Sequence, residues 1–177
     1  MKIMDQLNLI EKNILAEWNT QAIKTCFVVT RIKMEDCIIN NSVECVKWLL
    51  AAGADVHAQN DYALRWASRD GHTEMVKVLL EKGADVHAVS SEALRFASSD
   101  GHIEVVKLLL AAGADVHAQK DSALCYAAMK GHIGVVKVLL ETGADVHANN
   151  DCATYWASSE GHLDVVKLLK QWKKRLK

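Results

Sequence analysis

The chain has 177 residues, of which 50% are hydrophobic and 6% aromatic, and its formal net charge is −1. A net charge this small excludes a chain-wide electrostatic attraction to nucleic acid or anionic lipid. The apolar runs are far shorter than a bilayer requires, so no membrane span is expected. Because the N-terminus lacks the apolar stretch of a signal peptide, we expect an intracellular, cytoplasmic protein.

Residues 1–30 do not repeat, but they carry a helical pattern. Ile3, Leu7, Ile10, Ile14 and Trp18 follow one another at steps of three or four, which predicts one apolar face of a helix. Terminal units of repeat arrays are atypical because their outer face meets water. We interpret residues 1–30 as an N-terminal helical cap.

A strong internal repeat begins after this segment. The pattern G-H-x-E-V-V-K-x-L-L, followed by G-A-D-V-H-A, recurs from Gly71, Gly101 and Gly131 and, shortened, from Gly161, with each copy 30 residues after the last. Self-similarity at this period indicates stacked supersecondary units. The predicted array covers 31–177, with a degenerate unit 1 at 31–60, unit 2 at 61–90, unit 3 at 91–120, unit 4 at 121–150 and unit 5 at 151–177.

Each unit is predicted to form two short antiparallel helices. The first follows a predicted N-cap residue, which is Asp61, Ser91, Asp121 or Asp151 in units 2 to 5. The second carries lysines three residues after an acid, as in Glu74 and Lys77, on what we expect to be a solvated outer face. Glycines suited to left-handed helix ends close both helices, and the absence of proline favours helix throughout. The predicted fold is an all-α solenoid.

These residues resemble the ankyrin repeat family, as in Gly101-His102-Ile103-Glu104-Val105-Val106-Lys107 followed by Gly113-Ala114-Asp115-Val116. The family's usual period is about 33 residues, so about three are missing here, between His57 and Ala63. The resemblance therefore implies shortened or absent β-hairpins. This 30-residue form is similar to the ankyrin proteins that giant DNA viruses encode.

Variation between the units separates scaffold from candidate binding residues. Ala63 and Ala67 are identical in four units, whereas the opposite side of the first helix varies. The resemblance implies that this varied side lies on the concave, partner-binding face. We call its 16 residues the helix-1 stripe: Tyr62, Arg65, Trp66, Arg69, Glu92, Arg95, Phe96, Ser99, Ser122, Cys125, Tyr126, Met129, Cys152, Tyr155, Trp156 and Ser159.

Two interpretations of the stripe's aromatic column remain open, since Trp66, Phe96, Tyr126 and Trp156 either stack between units or contact a partner. Arg65 and Arg95 point further outward and are the better candidates for recognition. Tyr, Trp and Arg are the residues that dominate binding hot spots.

The histidines and cysteines do not predict a metal site. The eight histidines fall every 15 residues, from His57 to His162, and residues one unit apart are too distant to share a zinc ion. We expect them to hydrogen-bond in turns. The five cysteines include no C-x-x-C pair, and we expect reduced thiols that act as small apolar residues.

The sequence favours a non-catalytic protein-interaction module without cofactor or metal, since no catalytic motif is present. We expect this protein to be a monomer that binds another protein. The identity of that partner is unknown, and a host protein is one candidate. The alternative is nucleic-acid or anionic-surface binding through Arg65, Arg69, Arg95 and the basic tail, which we consider less favoured. The basic tail, residues 167–177, predicts a C-terminal cap helix. Its last five residues, Lys173-Lys174-Arg175-Leu176-Lys177, also allow a nuclear import signal or an anionic-surface contact.

Overall fold

The computed structural model describes residues 34–175, so the predicted N-terminal cap at 1–30 lies outside the described residues. The described part contains helices and no strand. The helices are α1 Met34–Ile39, α2 Val43–Ala51, α3 Ala58–Arg69, α4 Thr73–Glu81, α5 Ala88–Ser99, α6 Ile103–Ala111, α7 Ala118–Met129, α8 Ile133–Glu141, α9 Ala148–Ser159 and α10 Leu163–Arg175. No helix in 34–175 is long and apolar enough to span a membrane.

Successive units stack with like helices side by side. The first helices α3, α5, α7 and α9 form one layer, and the second helices α4, α6, α8 and α10 form the other. Between the layers, Leu64, Leu94 and Leu124 are at most 1% exposed. The alanine columns that begin at Ala63 and Ala67 are at most 4% exposed, as their small size requires. The predicted all-α solenoid is confirmed.

In place of a β-hairpin, each first helix of units 2 to 5 begins with a left-handed turn that leads into it from the preceding unit. Gln59, Asn60 and Asp61 all have φ near +55°, and the three equivalent residues of each later unit share this conformation. Left-handed backbone costs L-residues roughly 1–2 kcal/mol each, so the turn needs support. In unit 2, Arg65 supplies it, since Nε donates to Asn60 O at 3.0 Å and Nη2 donates to Gln59 O at 2.9 Å.

The predicted N-cap role of Asp61 is wrong, because Asp61 has a left-handed backbone with φ +55° instead of the extended backbone of an N-cap residue. The Asp61 carboxylate is buried and accepts the backbone N–H of Asp85, in the following turn, at 2.8 Å. Asp121 accepts the N–H of Asp145 at 2.9 Å in the same way. Ser91 does so more weakly, at 3.3 Å. The residue at this position joins units rather than starting a helix.

The prediction that the histidines hydrogen-bond in turns is confirmed for five of the eight side chains. Nε2 of His132 is 2.9 Å from Ser99 O, and because a carbonyl only accepts, Nε2 carries the proton that is donated. The ring lies against Gly101 of the preceding unit, where a Cβ would come within 2.7 Å of Nδ1. The other histidine column lies beside the left-handed turns, where Nδ1 of His57 is 3.1 Å from Asp61 Oδ1.

The second helices carry the predicted lysine pairs on their outer side. Lys77 lies 3.3 Å from Glu74, and Lys107 lies 2.8 Å from Glu104. These side chains are about half exposed or more, so each pair contributes only tenths of a kcal/mol, roughly 0.3–0.5. This confirms a solvated outer face that is chemically distinct from the helix-1 stripe.

Candidate functional site

The helix-1 stripe runs across four neighbouring helices, α3, α5, α7 and α9. Every stripe residue except Cys152 keeps at least partial exposure. Since the helices pack side by side, equivalent positions of adjacent units lie next to one another. The 16 predicted residues therefore share one surface of the described array, although their contacts differ along it.

In units 2 and 3, the charged residues of the stripe bind one another. Glu92 accepts from Nη1 of Arg65 at 2.6 Å and from Nη2 of Arg95 at 2.7 Å. All three side chains are only 16–20% exposed. Two guanidinium groups thus share one carboxylate, and this cluster keeps an excess of one positive charge.

Arg69 is also held within the chain. Its Cζ lies 3.4 Å from the ring centroid of Trp66, which is a close cation–π contact, and its Nε donates to Asp70 at 2.8 Å. The Trp66 ring packs 5.4 Å from Tyr62 and 6.5 Å from Phe96, centroid to centroid. At this end of the array, the aromatic column stacks between units.

In units 4 and 5, the rings are exposed. Tyr155 is 65% exposed, Trp156 39% and Tyr126 38%. Tyr155 and Trp156 contact each other edge to face at 5.3 Å, which fixes their relative orientation. Large aromatic side chains that are pre-arranged and open to solvent can bury apolar area against a partner at a low entropic cost.

A disulfide crosses the stripe between α7 and α9. It joins Cys125 to Cys152, whose Cα atoms are 5.7 Å apart, and a second disulfide joins Cys37 to Cys45 within unit 1. This separation lies within the usual range for disulfides, roughly 4.4–6.8 Å. The expectation of reduced thiols is wrong for these four residues, while Cys26 lies outside the described residues.

The basic tail closes onto the last left-handed turn. Lys173, on α10, donates to Asp151 Oδ1 at 2.7 Å. On Asp61 and Asp121, the corresponding bond comes from a backbone N–H of the following turn. The bond from Lys173, followed by the bond from His147, lowers the pKa of the Asp151 carboxyl below its usual value. The predicted C-terminal cap helix stays a prediction, and α10 is the helix that would form it.

Sequence reasoning missed two features of this surface. The first is Glu92 as the shared partner of two arginines, and the second is the bond from Lys173 to Asp151. A usable signal for the first was present, because Arg65 and Glu92 are 27 residues apart, the same separation as Cys125 and Cys152. That spacing joins the fifth residue of one unit to the second residue of the next.

The described residues contain no group of three or more His, Cys, Asp or Glu side chains arranged to hold a metal ion. A comparison with protein-family models matches the chain to "Ankyrin repeats (3 copies)" over residues 34–120 and 94–176. No curated protein matches the chain.

Proposed function

The chain belongs to the ankyrin repeat family, and from that premise we propose that it is a non-catalytic module that binds a protein partner through the helix-1 stripe. Ankyrin repeats generally mediate protein–protein interaction, and the family is typically non-enzymatic. The scaffold columns of this chain are buried, and on the outer face Lys77 and Lys107 are paired with acids of their own helices, whereas the stripe varies from unit to unit.

One observation carries this proposal: Tyr126, Tyr155 and Trp156 are exposed side by side on α7 and α9. Single apolar residues on a surface are ordinary, but adjacent rings of this size are the typical anchors of interfaces. We therefore assign the strongest contacts to units 4 and 5. Units 2 and 3 hold the stripe's shape through the ion pairs of Glu92.

The stripe's arginines favour a protein partner over nucleic acid or an anionic surface. Arg65 donates three bonds within the chain, and Arg69 is bonded to Asp70. In the tail, Lys173 is bonded to Asp151. Binding to phosphates requires several free cations, because its affinity comes from neutralising several phosphate charges. The 30-residue repeat sequence resembles that of the ankyrin proteins of giant viruses. If the chain derives from such a virus, a host protein is the natural partner.

The experiment compares affinity capture from the native cell by the wild-type protein and by a Tyr155→Ala/Trp156→Ala variant. Each truncated hot-spot ring costs about 2 kcal/mol or more, so we expect recovery of the partner to fall at least ~30-fold. The matched control is Lys77→Ala/Lys107→Ala on the outer face, which should recover the partner normally. Equal melting midpoints of the three proteins show that the fold is intact.

The stripe assignment is wrong if the ring variant recovers the same proteins in the same amounts as the wild type. It is also wrong if the lysine variant loses them, because the outer face would then be the binding surface. A captured species that dissociates steeply as salt rises, and that nuclease removes, would support the nucleic-acid alternative.

A further inference from the structure

Arg95 lies where the bonded part of the stripe meets its exposed rings, and most of its hydrogen-bonding capacity is unused. A guanidinium group offers five N–H donors. Among residues 34–175, Nη2 of Arg95 bonds to Glu92, while Nε is buried without a partner. A buried charged donor without a partner is costly and rare in folded proteins.

Arg65, one unit earlier in the same column, shows how the array satisfies such a side chain. Its Nε, Nη1 and Nη2 bond to Asn60 O, Glu92 and Gln59 O. Glu92 stands 27 residues after Arg65, in the next unit. The residue 27 positions after Arg95 is Ser122, which carries no charge and whose hydroxyl donates back to Ala118 O.

Because unit 4 has a serine instead of an acid at this position, Arg95 bonds to Glu92, which already accepts from Arg65. The Arg95 guanidinium is also positioned between rings, with Cζ 4.5 Å from the Phe96 centroid and 5.4 Å from the Tyr126 centroid. Neither ring contact uses an N–H group as a hydrogen-bond donor, so the remaining donors of the guanidinium stay open to an acceptor such as a carboxylate.

We propose that Arg95 is the subsite for a carboxylate side chain of the protein partner, and that the same partner segment places an apolar side chain on Tyr126. This inference rests on the proposed function of the helix-1 stripe. The Arg95 Cζ and the Tyr126 ring centroid are 5.4 Å apart. The partner segment therefore presents its acid and its apolar group on side chains about two residues apart in an extended chain, which points them to the same face.

A carboxylate beside an apolar group fits this surface better than a chain of phosphates does. The excess at the cluster is a single positive charge, and Asp70 and Asp100 end α3 and α5, the two helices that carry it. One acid is neutralised by one guanidinium, whereas a phosphate backbone would bring further negative charges towards these carboxylates.

The test uses the whole protein as bait for a displayed library of random short peptides. We expect the selected peptides to combine Asp or Glu with an aromatic or aliphatic residue about two positions away. The strongest peptide is then measured by fluorescence polarisation against the wild type, Arg95→Gln and Arg95→Lys. A charge-assisted bond to a carboxylate predicts a loss of about tenfold or more for Arg95→Gln and an intermediate loss for Arg95→Lys, which keeps the charge without the fork.

Two further variants separate this subsite from general effects. Ser122→Glu provides Arg95 with an acid of its own and is expected to weaken the peptide as much as Arg95→Gln does. Lys107→Gln makes the same charge change on the outer face and should leave the affinity within about twofold. Replacing the peptide's acid by its amide should weaken binding to the wild type but not to Arg95→Gln.

Each other outcome overturns the inference. If the selected peptides carry no acid, or if Arg95→Gln binds them as tightly as the wild type, the subsite is wrong. If binding of the selected peptides still depends on Tyr155 and Trp156, the proposed function of the helix-1 stripe stands without the Arg95 subsite. Failure of every peptide, or peptides that ignore the stripe, contradicts both proposals. If a single-stranded oligothymidine binds more tightly than the peptides and its binding depends on Arg95, the ligand of the subsite is a phosphate and not a carboxylate.

Discussion

The two halves of the helix-1 stripe are built on the same backbone but use their side chains differently. In units 2 and 3, Arg65, Glu92 and Arg95 bind one another, and the rings of Trp66 and Phe96 stack. In units 4 and 5, the rings are exposed. The difference shows that a varied column is not uniformly a binding surface, because one part of it holds neighbouring units together.

The link between units also changes its chemistry along the array. The fifth residue of one unit faces the second residue of the next, and this register holds an ion pair at Arg65 and Glu92 and a disulfide at Cys125 and Cys152. Between these two links, the residue 27 positions after Arg95 is the neutral Ser122. Arg95, which has no acid in the following unit, lies next to the exposed ring of Tyr126. We therefore place the partner's acid at Arg95.

The largest effect should come from removing the covalent link. Cys125→Ala/Cys152→Ala is expected to lower the free energy of unfolding by about 3–4 kcal/mol, because the bond closes a 27-residue separation in the unfolded chain. Urea unfolding without reductant measures this difference. With reductant, both proteins should unfold at nearly the same midpoint, and equal stability before reduction would contradict the disulfide.

The next largest effect tests whether an inner unit is held more tightly than the last. Gly101 and Gly161 have similar φ values of +82° and +79°, but only Gly101 faces a histidine ring. Gly101→Ala strains the backbone and displaces His132, which we expect to cost about 2–4 kcal/mol. Gly161→Ala should cost only the backbone term of about 1–2 kcal/mol. Equal losses on thermal melting would show that the His132 contact contributes nothing.

The third prediction removes the acid at position 92 and, in a separate variant, adds an acid at the equivalent position 122. Glu92→Gln leaves two largely buried guanidinium groups without a carboxylate and should cost about 1–3 kcal/mol. Ser122→Glu supplies the missing acid to Arg95 and should stabilise the fold by up to about 1 kcal/mol. Ser122→Gln, which matches the size without the charge, is the control for melting experiments. A stabilisation by Ser122→Gln that equals that of Ser122→Glu would rule out the ion pair.

The smallest effect concerns the last unit and depends on pH. Lys173→Met removes the bond that lowers the pKa of Asp151, and because Asp151 is 49% exposed, we expect a loss below about 1 kcal/mol at neutral pH. A carboxylate with a lowered folded-state pKa stabilises the fold above its unfolded pKa. That contribution disappears as pH falls through the folded value.

The difference in melting midpoint between the wild type and Lys173→Met should therefore be constant from pH 7 to 5 and shrink below about pH 4. Lys174→Met, on the same helix but without a bond to Asp151, is the control. A difference that persists unchanged at pH 3 would show that Lys173 acts through packing rather than charge.

The sequence by itself determined the repeat, the helical class and the division between fixed and varied columns. The 30-residue period and its glycines specify two short helices per unit, and buried positions such as Leu64 and Ala67 follow from helical spacing. Local sequence preferences suffice to predict these features, because each unit packs against a neighbouring unit of similar sequence.

Only the tertiary structure decided which varied residues are available. Tyr62 and Tyr155 both belong to the varied stripe, yet Tyr62 packs on Trp66 while Tyr155 is 65% exposed. The sequence predicts that Asp61 caps a helix, whereas in the structure its carboxylate accepts the backbone N–H of Asp85 in the following turn. Such roles depend on contacts 24 to 27 residues away in the sequence, so they follow from the way adjacent units stack rather than from any local preference.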